Sequence, residues 1–188
     1  MTIKKMGHFT AIGMRQKVDS PGTLVINTCG GNDTDQKGSL ERWDWSNPTN
    51  RKFKAVCVAD PAIVAVSIEC LWQGTKILTE GGVPNQQTLG GKWRNGKAKR
   101  PIGAWNGSGD LITNPGDARR AIYIPAFKNQ IENWLKDEEV ADWVQQARDW
   151  PEDVYLRDHD TGRGIDRRGP MSHAWVLAVW LNTGEWPC

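Results

Sequence analysis

A carboxylate, an amide and an amine recur at helical spacing in residues 67–76, which read SIECLWQGTK. In a helix, Glu69, Gln73 and Lys76 stand at positions i, i+4 and i+7, so they share one face beside Trp72. We interpret this face as one wall of a polar pocket with an aromatic plate. The same spacing also fits a partly exposed helix whose tryptophan packs into the core, and the pattern is compatible with both interpretations.

A second region with reactive side chains spans residues 155–175. A short predicted strand carries Asp158 and Asp160 at its end, and a glycine-rich loop then leads to a helix that begins near Ser172. Strand ends and helix N-termini are common places for reactive groups, and the N–H groups of this helix, with His173, suit an anion such as phosphate. In a second interpretation, Asp158 caps a turn and arginine pairs tie the loop down.

This set of carboxylates, amine, arginines and aromatic rings suits cleavage of a glycosidic bond to nitrogen. Such bonds break through an oxocarbenium-like sugar, which a carboxylate stabilises directly or by activating water. The departing base needs a stacking surface and a proton donor, and a lysine either stabilises charge or attacks the sugar to form a Schiff base. We expect the two regions to meet in one cleft. The predicted catalytic residues are Glu69, Lys76, Asp158 and Asp160, and the predicted substrate-binding residues are Trp72, Gln73, Arg119, Ser172 and His173.

Other chemistries lack their sequence signatures. Asp158, His159, Asp160 and His173 are acceptable metal ligands by type, but they do not follow a metal-binding spacing, and neighbouring strand residues point to opposite faces. The four cysteines are widely spaced without a C-x-x-C pair, which argues against a zinc site and a disulfide framework. Nucleophile-elbow, P-loop and dinucleotide-binding motifs do not occur. We therefore expect neither a metal nor a cofactor.

The charge is unevenly distributed along the chain. Residues 132–153 hold eight acids and two bases, a balance of −6, so with a net charge of +2 the rest carries +8. The segment 92–100 has five positive charges and a tryptophan within nine residues, which predicts contact with a phosphate backbone, although a solvated loop with ordinary lysines fits as well. The predicted DNA-binding residues are Lys92, Trp93, Arg94, Lys97, Lys99 and Arg100, and either Trp93 or Trp105 is expected to stack on or wedge between bases.

Length and hydrophobic pattern favour one domain over residues 1–188, of α+β class, mainly helical with a few short strands. The start of the chain lacks an apolar signal region and no apolar run is long enough to span a membrane, so we predict a cytoplasmic protein without a membrane partner. The predicted strands are 23–28, 53–58 and 154–156. The predicted helices are 66–79 with Ser67 as N-cap, 115–136 with a kink or break at Pro125, 138–149 and 172–182. Residues 1–22 and 80–114 are predicted to be irregular.

Residues 67–76 resemble the S-V-E-x-x-x-Q-x-x-K helix of the NADAR family of N-glycosidases, and the chain is more similar still to an uncharacterised bacterial domain family related distantly to NADAR. The resemblance covers about a third of the chain, in three blocks: 67–76; 118–127; and 154–160 followed by 169–174. It implies a NADAR-like fold, cleavage of ADP-ribose derivatives including ADP-ribosylated guanine, and essential roles for Glu69 and Lys76. The tryptophan-glycine segment near the NADAR C-terminus has no counterpart, and Asp158-His159-Asp160 stands in that region.

Three functions are compatible with these observations. Our leading hypothesis is an N-glycosylase that removes a modified nucleobase of the kind phages make, flips the nucleotide out of DNA, leaves an abasic site and serves in defence against phage. The basic segment 92–100 favours a polymer over a free nucleotide. The second hypothesis is a NADAR-like hydrolase of N-linked ADP-ribose, and the third is a non-catalytic sensor that binds a nucleotide in the same pocket.

Overall fold

The computed structural model describes residues 8–28, 55–92 and 100–188. These residues group into two compact units, each of which is described by itself. The first unit takes its described residues from 8–28, 132–164 and 169–187, and the second from 55–92, 100–131, 165–168 and Cys188. The prediction of one domain over the whole chain stays a prediction.

The described residues form eight short strands and several helices, a mixed α+β content. The strands are β1 Phe9–Gly13, β2 Leu24–Asn27, β3 Ala55–Val56, β4 Val64–Ala65, β5 Lys76–Ile77, β6 Gly103–Trp105, β7 Leu111–Ile112 and β8 Val154–Asp158. The helices are α1 Ile68–Gly74, α2 Gln86–Leu89, α3 Pro115–Ala118, a π-helical turn Arg119–Tyr123, α4 Ile124–Trp134, α5 Glu138–Arg148 and α6 His173–Thr183.

The first unit is built on a parallel three-stranded sheet in the order β1-β8-β2. Helix α6 packs on β1 and β8, and its Val176, Leu177 and Leu181 are buried, as a helix with an apolar circumference requires. Asn182 near the end of α6 ties the helix to the sheet, because its amide accepts from the N–H of Phe9 (2.9 Å) and donates to the carbonyl of Phe9 (2.8 Å). Because β8 is the central strand of a parallel sheet, its last residue, Asp158, lies at the carboxyl end of that sheet.

The second unit contains two antiparallel sheets, β3-β4 and β5-β6-β7. Helix α1 packs against α2, β4 and the π-helical turn. Its contact with α2 is close, since a Cβ placed on Gly74 would lie 2.5 Å from Cδ2 of Leu89. The core of this unit includes the fully buried Ile68, Leu71 and Phe127.

The chain stays helical from Pro115 to Trp134 but changes its hydrogen-bond pattern on the way. The N–H of Ile124 donates to the carbonyl of Arg119, five residues back, which defines the π-helical turn. Pro125 is the second residue of α4, a position in a first turn where a missing N–H is tolerated. The helix was predicted to kink or break at Pro125. The change in its hydrogen-bond pattern is instead the π-helical turn, which ends at Tyr123, two residues before Pro125.

Most of the longer predicted elements are confirmed. Strand 23–28 is β2, helix 138–149 is α5 with Asp137 as N-cap, helix 172–182 is α6 with Ser172 as N-cap, and strand 154–156 extends to Asp158. Three predictions were wrong: residues 1–22 contain β1, the stretch 80–114 contains α2, β6 and β7, and helix 66–79 ends at Gly74. Of the predicted strand 53–58, the first two residues lie outside the described residues, and Ala55–Val56 is a strand.

Candidate functional site

Helix α1 begins at a cap that its sequence encodes. The side chain of Ser67 accepts from the N–H of Cys70 at 3.1 Å, and Glu69 lies in the first turn, where a negative charge meets the positive end of the helix dipole. Ile68 and Leu71 face the core, so Glu69 and the residues one turn later remain half-buried at the opposite side. The amphipathic pattern of seven residues thus brings the acid to a partly desolvated surface.

Glu69, Gln73 and Lys76 form a continuous chain of hydrogen bonds. The Nε2 group of Gln73 donates to Oε1 of Glu69 at 2.7 Å, and Nζ of Lys76 donates to Oε1 of Gln73 at 2.8 Å. The two opposite charges fix the amide orientation, because a flipped amide would present its oxygen to the carboxylate and its NH₂ to the ammonium. Nζ of Lys76 also lies 4.9 Å from the ring centroid of Trp72, within cation–π range. We call these four residues the acid–amine face.

Lys76 reaches this face from outside the helix. Helix α1 ends at Gly74, and Thr75, its C-cap, donates from its hydroxyl to the carbonyl of Leu71 at 2.9 Å. Lys76 is the first residue of β5, where its backbone pairs with Ala104 of β6. The predicted i+7 position is therefore wrong as a helical position, but the turn at Thr75 still places the amine next to Gln73. A sheet rather than a helix holds the lysine backbone.

Tyr123 supports the aromatic part of the face. Its ring meets Trp72 edge-on, with centroids 5.7 Å apart and planes at 69°, and it stacks on Phe127 at 5.8 Å and 21°. Tyr123 is the last residue of the π-helical turn and is buried. Sequence reasoning missed it, although it lies in block 118–127, because the only residue selected there was Arg119.

Arg119 lies at the other end of the same π-helical turn, buried with 4% of its surface exposed. Its Nη1 donates to the carbonyls of Ile165 and Arg167. Burial lowers the pKa of the guanidinium from its usual range, the charge of Arg167 acts in the same direction, and Asp166 opposes them. Predicted as a substrate ligand, Arg119 instead uses this nitrogen to hold backbone carbonyls of its own chain.

Asp158 is the anchor of helix α6 in the first unit. Its Oδ2 accepts from the hydroxyl of Ser172 (2.8 Å) and from the N–H of Ala174 (3.2 Å), and its Oδ1 accepts from the N–H of Asp160 (3.2 Å). Ser172 in turn accepts from the N–H of Trp175 at 3.1 Å. Asp158 is 2% exposed, so its carboxyl oxygens accept these three bonds in a buried place.

Two amide groups at the start of α6 are therefore already bonded to side chains of the chain itself, which leaves less of this helix N-terminus for the phosphate that the sequence analysis assigned to it. Asp160 and His173 lie beside Asp158 and are half-buried. Arg163 donates to the carbonyl of Ala11 at 2.8 Å and ties the loop to β1. These contacts are those of the second interpretation, in which Asp158 is a cap and arginines hold the loop.

The predicted acids thus lie in different units: Glu69 and Lys76 in the second, Asp158 and Asp160 in the first. A single cleft shared by all four stays a prediction. Of the predicted DNA-binding residues, Lys92 and Arg100 are exposed, and Trp93, Arg94, Lys97 and Lys99 lie outside the described residues. Trp105, a predicted stacking residue, is half-buried, and its Nε1 donates to Oδ2 of Asp60 at 3.0 Å.

Within the described ranges, histidine, cysteine and acidic side chains do not gather in threes as a metal site would require. Across the same ranges, no helix has the length and apolar character needed to cross a membrane.

The fold and site define an α+β protein with a helix-borne carboxylate and a strand-borne lysine joined through one amide. The chain belongs to a family of unknown function (DUF6939), whose sequence model matches residues 55–177. This match covers more than half of the chain and contains all of the acid–amine face as well as Asp158, Ser172 and His173. No curated protein and no solved structure matches the chain.

Proposed function

We propose that this protein is an N-glycosylase that removes a modified nucleobase from DNA and leaves an abasic site. The observation that carries the proposal is the bonded series Glu69–Gln73–Lys76 next to the ring of Trp72. In this proposal Glu69 stabilises the developing positive sugar, Lys76 is the donor for the departing base and Trp72 is the aromatic surface, all within about two turns of chain. Those are the three groups that cleavage of a C–N glycosidic bond needs.

In the proposed reaction the C–N bond breaks and its electron pair goes to the base nitrogen. Glu69 stabilises the oxocarbenium-like sugar and takes a proton from the water whose oxygen bonds to the anomeric carbon. The Lys76 ammonium stabilises the charge on the leaving base and supplies its proton. In the alternative route, the neutral Lys76 amine attacks the anomeric carbon as the C–N bond to the base breaks, and the base leaves with the electron pair and takes one proton from the amine. The C–O bond of the sugar ring then opens, its oxygen takes a second proton from the nitrogen, and the resulting Schiff base is reduced by borohydride to a stable protein–DNA adduct.

DNA is the proposed partner because the basic segment follows helix α2, which packs on the helix that carries Glu69, Trp72 and Gln73. Helix α2 packs on α1, and the N–H of Lys92, three residues after α2 ends, donates to the carbonyl of Gln87 at 2.8 Å. Lys92 and Arg100, the two ends of segment 92–100, belong to the same unit as Glu69. In this proposal the basic segment binds the phosphates of the DNA backbone. The target nucleotide flips out of the duplex and contacts the acid–amine face, because its sugar carbon is unreachable inside a duplex. Defence against phages with modified DNA is the setting that we propose.

The test is incubation with phage DNA that carries modified bases, beside DNA of the same sequence with ordinary bases. We expect released base and alkali-labile abasic sites from the modified DNA alone. Glu69→Gln and Lys76→Met should each lower the rate by at least about 100-fold, the size of a lost acid–base or electrostatic group. Glu80→Gln, an exposed glutamate of the same unit, is the matched control and should retain full activity.

Two results would turn the assignment to another function. Release of ADP-ribose from ADP-ribosylated guanosine, unaffected by charge reversal at Lys92 and Arg100, would identify the NADAR-like hydrolase. Nucleotide binding without turnover, retained in the Glu69→Gln and Lys76→Met variants, would identify a sensor. Equal cleavage by wild type and Glu69→Gln would remove the acid–amine face from the reaction.

A further inference from the structure

The four residues Ile165–Arg168 are held against the π-helical turn by two consecutive arginines, and we call these four residues the strap. Nη1 of Arg119 bonds the carbonyls of Ile165 and Arg167, and the side chain of Ile165 is buried. One terminal nitrogen of the guanidinium thus fixes two points of the strap backbone.

Arg120 holds the strap from outside. Its two terminal nitrogens bond both oxygens of Asp166, at 2.7 and 2.8 Å. The carboxylate fits closely over α3, because a Cβ placed on Gly116 would lie 2.2 Å from Oδ1 of Asp166. This ion pair is exposed, so it contributes less than its geometry suggests, and the buried Arg119 is the main fastening.

The fastening and the acid–amine face are joined through a single turn of helix. Arg119 and Tyr123 are the first and last residues of the π-helical turn, and the carbonyl of Arg119 accepts from the N–H of Ile124. Tyr123 contacts Trp72, and Trp72 lies under the ammonium of Lys76. A shift of Arg119 therefore reaches Lys76 through two ring contacts.

We propose that Arg119 is a positioning residue for the acid–amine face, acting from the strap through Tyr123 on Trp72. Its burial and its bonds to two carbonyls fit this role better than direct contact with substrate. The lowered pKa of Arg119 has the same origin, because burial removes water from the guanidinium. The consequence for catalysis rests on the proposed function, whereas the structural link is independent of it.

The experiment follows Trp72 by ¹⁹F NMR after incorporation of 5-fluorotryptophan. Trp72→Phe assigns its signal among the eleven tryptophans. Arg119→Lys keeps the charge, but its amine ends one bond short of the position of Nη1, and Tyr123→Leu removes the ring that Tyr123→Phe retains. Arg148→Lys is the matched control, since Arg148 contacts the ring of Trp180 in the first unit.

The expected result is a displaced or broadened Trp72 signal in Arg119→Lys and Tyr123→Leu, and an unchanged one in Tyr123→Phe and Arg148→Lys. A Trp72 signal in Arg119→Lys that superimposes on the wild-type signal overturns the proposal. If Arg119→Lys does not fold, the Tyr123→Leu variant tests the proposal instead. An unchanged Trp72 signal in Tyr123→Leu would show that Tyr123 does not position Trp72, and it would overturn the proposal.

Kinetics separate positioning from a loss of folded protein. A displaced Trp72 should raise KM for modified DNA and lower kcat/KM by about 10- to 100-fold in Arg119→Lys, as small misplacements do. Partial unfolding would lower the apparent kcat at constant KM. Wild-type protein that fails to cleave any DNA defeats the proposed function, and the ¹⁹F comparison still decides the role of Arg119.

Discussion

Gln73 connects the carboxylate and the ammonium of the acid–amine face. The amide stands between a carboxylate and an ammonium and bonds each with the group of matching character. Gln73 bonds one oxygen of Glu69 and one proton of Lys76, so neither charged group is fully consumed by this amide. A direct ion pair between the two would instead direct each charge at the other. Gln73 thus joins the two catalytic candidates through its amide.

Gln73→Met should therefore impair activity far more than stability. Methionine keeps the length of the side chain but makes neither bond, and i, i+4 pairs on a helix contribute only about 0.2–0.5 kcal/mol each. We expect a loss of at least about tenfold in kcat/KM on modified DNA and a change in unfolding free energy below about 1 kcal/mol. Gln87→Met, at an exposed position of α2, is the control. Equal activity of Gln73→Met and wild type would show that the amide is a bystander.

Asp158 should act mainly on stability. Asp158→Ala leaves the hydroxyl of Ser172 and the N–H of Ala174 buried without their acceptor, which costs about 2–4 kcal/mol in the free energy of unfolding. Asp158→Asn retains one acceptor oxygen and should lose less. Denaturant titration measures both, with Asp160→Asn as the half-buried control, for which we expect about 0.5 kcal/mol or less. An Asp158→Ala protein as stable as wild type would contradict the anchoring role.

At the scale of elements, the contact of α1 with α2 depends on the absence of a side chain at Gly74. In an exposed helix, alanine at this position would add about 1 kcal/mol of helix propensity. Here its Cβ would lie 2.5 Å from Cδ2 and 2.7 Å from Cγ of Leu89, and Leu89 is buried with little room to move. The packing term should therefore outweigh the propensity term.

Gly74→Ala should lower the free energy of unfolding by about 1–3 kcal/mol, the usual cost of overpacking. The control is a double-mutant cycle with Leu89→Ala, which removes the atoms that the new Cβ would meet. In the Leu89→Ala background, Gly74→Ala should be neutral or stabilising. An additive cycle would mean that the clash is relieved without cost.

Elements with a local cause could be predicted from sequence, and those that depend on distant partners could not. Ser67, Asp137 and Ser172 mark helix starts, and the spacing of Glu69 and Gln73 brings their side chains together through one helical turn. Strand β1 escaped prediction because it is defined by pairing with β8, far away in the chain. Strands β6 and β7 are two or three residues long, too short for an alternating pattern.

The site shows the same division. Lys76 does lie next to Gln73, as predicted from the sequence. The prediction placed it in the same helix, however, and that helix ends two residues before Lys76. Tyr123 contacts Trp72 of the face from the end of a π-helical turn, whose wider spacing no α-helical template anticipates. The sequence predicts Arg119 as a substrate-binding cation, and nothing local reveals that its Nη1 bonds the carbonyls of Ile165 and Arg167.

At the scale of the molecule, charge is segregated along the chain. Residues 132–153 carry −6 and the segment 92–100 carries +5. An acidic stretch repels nucleic acid, so the balance favours binding through the basic segment and disfavours approach from residues 132–153. The binding of DNA that we propose should then depend strongly on salt.

A pair of charge-neutralised variants tests this layout. Lys92→Gln with Arg100→Gln should weaken binding to duplex DNA and make the slope of log K against log salt less steep by about 1.8, at about 0.9 for each phosphate that the protein no longer neutralises. Arg15→Gln with Lys17→Gln removes one arginine and one lysine from exposed positions of the first unit. That control should leave the slope unchanged, and an equal effect of both pairs would assign DNA binding to net charge alone.

The π-helical turn between Arg119 and Tyr123 makes the number of residues there matter as well as their identities. Removing one residue would restore an ordinary α-helix, yet it would also rotate α3 by about 100° about the helix axis with respect to α4. Arg119 would swing away from the strap while Tyr123 kept its place. A single deletion within 119–123 should therefore disconnect the strap from the indole of Trp72 even when Arg119 and Tyr123 are both retained.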